Sequence, residues 1–334
     1  MSGELAIDLG SSITRVADGA GTILLEEPTI AAIDADSGRL LAFGRDVVGL
    51  GARSAGRIRV VHPVRNGKLV EVDLAETVIS EALSRCGVGR LERRRGVTCT
   101  HIDQTAVQDR AIERALKQAG LRSVRAIEHP VAAAIGAGVA IEEAVGRMVV
   151  DVGGGTTDVA LLALGGIVTS VGIDCGVDDV DAVIRTYLYR EADLVVDAST
   201  ATTLRQAAAS VPVGVGARPI EIDGRDARTG APARALVDPG EISVRVERAL
   251  RTICEGAVNA ISEAPPDLAN DLLTTGVLLV GGGAHLPGLD RRLARATGVP
   301  VHVPIDPARV AVLGAARSHE VIEHSLAFTV RSAG

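Results

Sequence analysis

The chain has no tryptophan and two lysines, Lys68 and Lys117, against abundant arginine. We read this imbalance as the coding bias of a GC-rich genome, without functional content. Four cysteines, Cys86, Cys99, Cys175 and Cys254, stand far apart with no CxxC pair, which argues against a zinc site or a disulfide framework. The net charge of −7 and a pI near 5.6 provide no basic field to gather phosphates, so a nucleic-acid partner is not expected. No apolar run approaches the roughly 20 residues of a membrane span. The first strand is expected to start by about Glu4, which leaves no room for a signal peptide. A cytoplasmic protein is expected.

What is present suits two cores: 334 residues, 47% of them hydrophobic. Helical spacing of apolar residues predicts helices over 73–84, 104–119, 178–191 and 289–297. Further helices are expected to open at Pro130, after an Asp238 N-cap and through Ile261, and from Ala308. Residues 34–63 are rich in glycine and arginine and read as a small insertion. Residues 192–238 read as irregular and polar, a second small insertion.

Three glycine turns follow strand-like runs. Asp8-Leu9-Gly10-Ser11-Ser12-Ile13-Thr14-Arg15 and Asp151-Val152-Gly153-Gly154-Gly155-Thr156-Thr157-Asp158 both read strand, aspartate, glycine, hydroxyl, strand. Val277-Leu278-Leu279-Val280 runs into Gly281-Gly282-Gly283. Glycine tolerates tight turns and lets backbone N–H groups approach a phosphate. Two such hairpins far apart suggest two similar halves clasping one phosphorylated ligand. Each also has a plainer reading: a capped hairpin for the aspartates, a strand-to-helix turn for Gly281–Gly283.

These three segments resemble the two phosphate loops and the adenosine loop of the actin and heat-shock-chaperone ATPase superfamily. Within it, Glu128-His129-Pro130-Val131-Ala132-Ala133-Ala134-Ile135-Gly136-Ala137-Gly138, Leu164–Ser170, Gly224–Gly230 and Pro265–Ala269 resemble the MreB-like bacterial actins, collinearly over nearly the whole chain. The resemblance implies an α/β actin-like ATPase fold of two similar ribonuclease-H-like halves, each with a small inserted subdomain, and a nucleotide cleft between them. The first half would take 1–144 plus 308–330, with its subdomain at about 34–63. The second would take 145–307, with its subdomain at about 178–252.

The resemblance also assigns roles. Asp8 and Asp151 would hold Mg²⁺ through its water shell, which suits an ion that dehydrates reluctantly. Gly10, Ser11, Ser12 and Thr14 would serve the β-phosphate of ATP or ADP, and Gly153, Gly154, Gly155 and Thr156 the γ-phosphate. Arg15 stands where actin has a phosphate-binding lysine, although a solvated strand-end arginine is an equal alternative. Gly281, Gly282 and Gly283 would flank adenosine, and Arg205 the sugar and base.

Three positions depart from the pattern. The family's water-positioning carboxylate directly precedes the proline of the thin helix; here that residue is His129, and Glu128 lies one place too early to replace it. A histidine mostly neutral at pH 7 lacks the fixed charge that orients water, so hydrolysis is expected to weaken by up to about 10²–10⁴, with His129 and Thr156 as the catalytic candidates. Ala208 replaces a ribose-binding carboxylate, and Val177 follows Gly176 where paired glycines are usual. Each is expected to cost about 1–2 kcal/mol of nucleotide affinity.

For membrane contact the candidates are Leu91, Arg93 and Arg94 in the basic turn 87–95. It reads either as a solvated turn or as a weak attraction to anionic lipid, worth about 1 kcal/mol per charge. The function expected is a cytoskeletal protein that binds Mg-ATP, hydrolyses it weakly and forms filaments with itself or a related bacterial actin, organising cell shape or cell- and spore-wall synthesis machinery. The alternative is a non-polymerising pseudo-actin serving as adaptor to a filament-forming relative. A sugar or acetate kinase is a third possibility, for which no acceptor-binding residues stand out.

Overall fold

A computed structural model describes residues 4–47, 50, 56–88, 94–209, 211–212 and 215–324. Strand Glu4–Leu9 is buried at every residue, the pattern of a central strand covered on both faces. It pairs antiparallel with Ile13–Asp18, which pairs antiparallel with Ile23–Pro28. Its other edge runs parallel to Arg95–Thr100, and that strand to Ser123–Glu128. The second five-stranded sheet repeats this order and sense. Arg147–Val152 is central, followed outward by antiparallel Thr157–Ala163 and Gly166–Ile173 on one side, and by parallel Val277–Val280 and Val301–His302 on the other.

The repeat fixes where chemistry can gather. Asp8 and Asp151 occupy equivalent places near the ends of the two central strands, just before the hairpin turns. The parallel strands beside them end at Thr100, Glu128 and Val280. Open α/β sheets bind ligands beyond these carboxyl ends.

Between the sheets lie two thin helices, His129–Gly136 and Val310–His324. Every residue from His129 to Ile135 is buried. Val131–Ile135 and Val310–Val312 share one apolar core with Ala6 and Val97 of the first sheet and Val149 and Ala160 of the second. The helices cross backbone to backbone: a Cβ on Gly136 would strike the Val310 carbonyl, and one on Gly314 the Ala132 carbonyl.

Most expected helices are present, including Val72–Arg85, Ala106–Gln118, Val177–Glu191, Pro239–Ser262 and Leu289–Thr297. The Asp238 carboxylate caps its helix, accepting from Gly240 N at 2.7 Å. Residues 31–61 contribute a three-stranded sheet, Leu40–Phe43, Ala31–Asp34 and Ile58–Val61. Residues 192–238 are not irregular as expected: they hold helix Ala198–Ala209 and the antiparallel pair Ile220–Asp226 and Pro232–Val237. Ala201, Leu204 and Ala208 form a fully buried stripe that the surrounding threonines obscure. Among the described residues no helix is long and apolar enough to cross a membrane.

Because the obstacle at Gly314 is backbone, Gly314→Ala should destabilise the fold by about 1–3 kcal/mol. Gly166→Ala, where no atom lies within 4 Å of the added Cβ, should stay within about 0.5 kcal/mol. Denaturant unfolding of the two variants checks this; equal stability would refute the close-crossing argument.

Candidate functional site

The second glycine turn is anchored by the helix that follows its sheet edge. Gly153 and Gly154 carbonyls accept from Val177 N at 3.1 Å and Asp178 N at 2.8 Å, donors at the start of Val177–Glu191 that have no partner inside the helix. Asp178 also reaches the first turn, where the Ser12 hydroxyl lies 2.8 Å from both of its carboxylate oxygens. Ser11 Oγ accepts from Gly67 N at 3.2 Å. Gly155 is glycine because a Cβ there would sit 2.6 Å from Asn66 Oδ1. The two turns thus meet across a solvent-open cleft of about 150 Å³.

At its floor Asp8 and Asp151 are 5% and 6% exposed. His129 sits between them, Nε2 3.5 Å from Asp8 Oδ1 and Nδ1 3.4 Å from Asp151 Oδ2. Burial opposes charge on this imidazole, but the carboxylates of Asp8, Asp151 and Asp158 outweigh it and push its pKa up to about 9. This shift favours the imidazolium at neutral pH, against the expectation of a mostly neutral ring. A second cation, Arg15, lies with Nη1 3.6 Å from Asp8 Oδ2 and Nε 2.8 Å from Glu26 Oε1. Arg309 binds the same Glu26, and these arginines hold the Glu26 carboxyl below its ordinary range, Arg309 most strongly and against the cost of burial.

The floor fits a hydrated divalent cation. Both carboxylates are buried, and Asp8 Oδ1 takes no hydrogen bond. Among the described residues no three His, Cys, Asp or Glu side chains are arranged to hold a bare ion. A cation here would keep its water, as Mg²⁺ does readily, and would compete with His129 for the same two carboxylates.

Of the residues expected at the site, Asp8, Gly10, Ser11, Ser12, Arg15 and His129 line the cleft from one side. Asp151, Gly153, Gly154, Gly155, Thr156, Gly281 and Gly282 line it from the other, and Val177 reaches it as expected. Three do not line it. Thr14 is buried behind the first turn, sharing a 2.9 Å hydrogen bond with Thr29. Gly283 packs against Val152. Arg205, expected at the sugar and base, has its guanidinium 3.4 Å from Asp181 Oδ2, and Ala208 on the same helix faces the core. Leu91 and Arg93 lie outside the described residues, while Arg94 is half-buried, its carbonyl accepting from Arg122 N at 2.8 Å. Glu128 does not line the cleft.

Sequence reasoning missed His101 and gave Asp158 no role. His101 Nδ1 lies 2.6 Å from Asp158 Oδ2 and 3.1 Å from Thr156 Oγ1, and its ring stacks on His129 with centroids 4.6 Å apart. The available signal was positional: His101 directly follows a strand parallel to the one ending in Asp8-Leu9.

Comparison with known proteins defines the class first. The structure superposes on MreB5 of Spiroplasma citri bound to ADP with a TM-score of 0.86 at 25% identity, covering 96% of this chain and 97% of that one. It superposes on the MamK double helical filament with a TM-score of 0.77 at 20% identity, covering 95% and 98%. The fold is the α/β actin-like ATPase fold. The sequence is 34% identical over 328 residues to the cell shape-determining protein MreB of Escherichia coli (strain K12), covering 96% of this chain and 94% of that protein. It is 33% identical over 312 residues to the cell shape-determining protein Mbl of Bacillus subtilis (strain 168), covering 93% and 94%. The MreB/Mbl protein family model matches residues 2–326, and the chain belongs to that family.

The raised pKa of His129 carries a stability consequence in protein free of nucleotide and divalent cation. Below about pH 6.5 the ring is protonated folded or unfolded and its full contribution is present; as pH rises through about 9 the contribution is lost, on the order of 3 kcal/mol in total. Unfolding free energies measured across this window should fall for the parent relative to His129→Gln. Parallel profiles would show that the imidazolium is not held by the two carboxylates.

Proposed function

We propose that this chain binds Mg-ATP in the cleft, hydrolyses it weakly and assembles into cytoskeletal filaments that organise cell shape or wall synthesis, in vegetative cells or during sporulation. The observation that carries this reading is the convergence of Asp8, Asp151 and both glycine turns on one cleft. Relatives named for cell-shape determination, and a similar structure solved with ADP and with AMPPNP, support it. In this reading Asp8 and Asp151 hold the hydrated Mg²⁺, which neutralises phosphate charge when bound. The Ser11–Ser12 and Gly153–Thr156 turns take the phosphates, and Gly281 and Gly282 lie against the adenosine. The two sheets are read as ribonuclease-H-like halves, 1–144 plus 308–330 and 145–307; packing of Val310–His324 on the first sheet supports the rejoining at about 308. Partners would be further copies of the chain or a related bacterial actin, with wall-synthesis proteins; anionic membrane remains a candidate contact through the turn at 87–95.

A second reading, a non-polymerising adaptor, is favoured by one observation: His129 already engages both carboxylates that a cation would need. Calorimetric titration with Mg-ATP and Mg-ADP, followed by electron microscopy of the ATP-loaded protein, separates the two. Micromolar binding and filaments are expected; single particles at high protein concentration would favour the adaptor, and no binding up to millimolar nucleotide would refute the site. His129→Glu should raise phosphate release by about 10²-fold, the lower end of a general-base contribution; an unchanged rate would mean that position 129 does not limit hydrolysis.

A further inference from the structure

Both ring nitrogens of His129 face carboxylates, so neither is aimed at a water molecule in the cleft. Its stacking partner is arranged differently. Asp158 is 3% exposed; Oδ2 sits 2.6 Å from His101 Nδ1 and Oδ1 accepts from Ile102 N at 3.2 Å. A carboxylate so placed accepts a hydrogen bond from Nδ1–H and leaves Nε2 as the acceptor of the neutral tautomer. Thr156 Oγ1, at the end of the second glycine turn, lies 3.1 Å from Nδ1 and 3.5 Å from that Nε2, within reach of a water that Nε2 also holds. The ring has little freedom: His129 stacks on it at an interplanar angle of 13°, and a Cβ on Gly67 would strike its edge. His101, Thr156 and Asp158 line both the glycine-turn cleft and a second cavity of about 100 Å³ beside it, where Lys68, Asp103 and Asp174 are the other charged groups. Water therefore has room next to the ring.

We propose that Thr156, His101 and Asp158 form a water-orienting relay that takes over the task of the carboxylate missing at position 129. The inference rests on the ATPase reading above. Thr156 Oγ and His101 Nε2 hold the attacking water. Its oxygen bonds to the γ-phosphorus as the bond from that phosphorus to the β,γ-bridging oxygen breaks, and ADP leaves with the electron pair. The water proton passes to Nε2 and then to the released phosphate, which restores the ring. His101 is the catalytic residue of this step; Asp158 is a positioning residue that fixes the tautomer.

The test is single-turnover phosphate release from Mg-ATP, alongside calorimetric binding of Mg-AMPPNP, for the parent, His101→Ala, His101→Gln and Asp158→Asn. Both His101 variants should lose about 10²–10⁴ in rate while nucleotide affinity stays within about threefold, the split expected when only the transition state is affected. Added imidazole should restore His101→Ala by about tenfold or more, by re-supplying the base, and should leave Asp158→Asn unrescued. His101→Gln keeps the ring's volume and guards against a folding failure of the alanine variant. Undiminished phosphate release in either folded His101 variant, or a loss of rate matched by a loss of affinity, would overturn the relay. A parent that binds Mg-ATP without hydrolysing it would overturn the relay and leave nucleotide binding standing. A parent that binds no nucleotide would overturn both.

Discussion

Two buried carboxylates directed at one point require a positive charge between them, and much of the site follows from that requirement. Ionised groups taken out of water are costly unless paired. Asp8 and Asp151 come from the central strands of two different sheets, so whatever neutralises them also ties those sheets together. His129 meets the requirement from within the chain, and Arg15 adds a second charge beside Asp8. A hydrated Mg²⁺ would meet it from outside. A histidine at position 129 therefore places a group that can carry positive charge between the two central strands.

That placement depends on packing remote from the chemistry. His129 opens a helix whose next six residues are all buried and half of them alanine, and its partner crosses it at glycine-to-carbonyl distance. The small side chains let both sheets share one core and bring the two central strands close enough for one imidazole to touch the aspartate of each. A bulkier helix pair would separate the carboxylates and remove the constraint.

Much of this was legible in the sequence, because backbone-dominated features leave local marks. Aspartate, glycine and hydroxyl at fixed offsets wrote both turns, and the run of alanines after Pro130 wrote the thin helix. Features created by tertiary contact left no such mark. Nothing next to His101 in the chain announces Asp158, 57 residues away. The charge of His129 depends on two aspartates brought from distant strands, so an isolated-histidine estimate gave the wrong state. Arg205 and Ala208 were legible as a helical pair only once Ala201 and Leu204 were seen to share their buried face; threonines between them masked the period. The hairpin Ile220–Val237 was missed because its alternation is interrupted by glycine, proline and exposed arginines.

Contacts between groups near the first sheet and groups near the second cross the cleft: Ser12 to Asp178, His101 to Asp158 and His129 to Asp151. A ligand shifts a conformational equilibrium only by the difference between what it gains in one state and in the other. In a cleft that lacked an internal cation, Mg-nucleotide would supply the whole neutralisation and hence a large closing force. Here it must first displace an imidazolium from the same oxygens, and its net gain is smaller by that amount. A filament built from such a subunit would be tuned by the balance between proton and divalent cation, and an adaptor would be the limit in which the proton prevails.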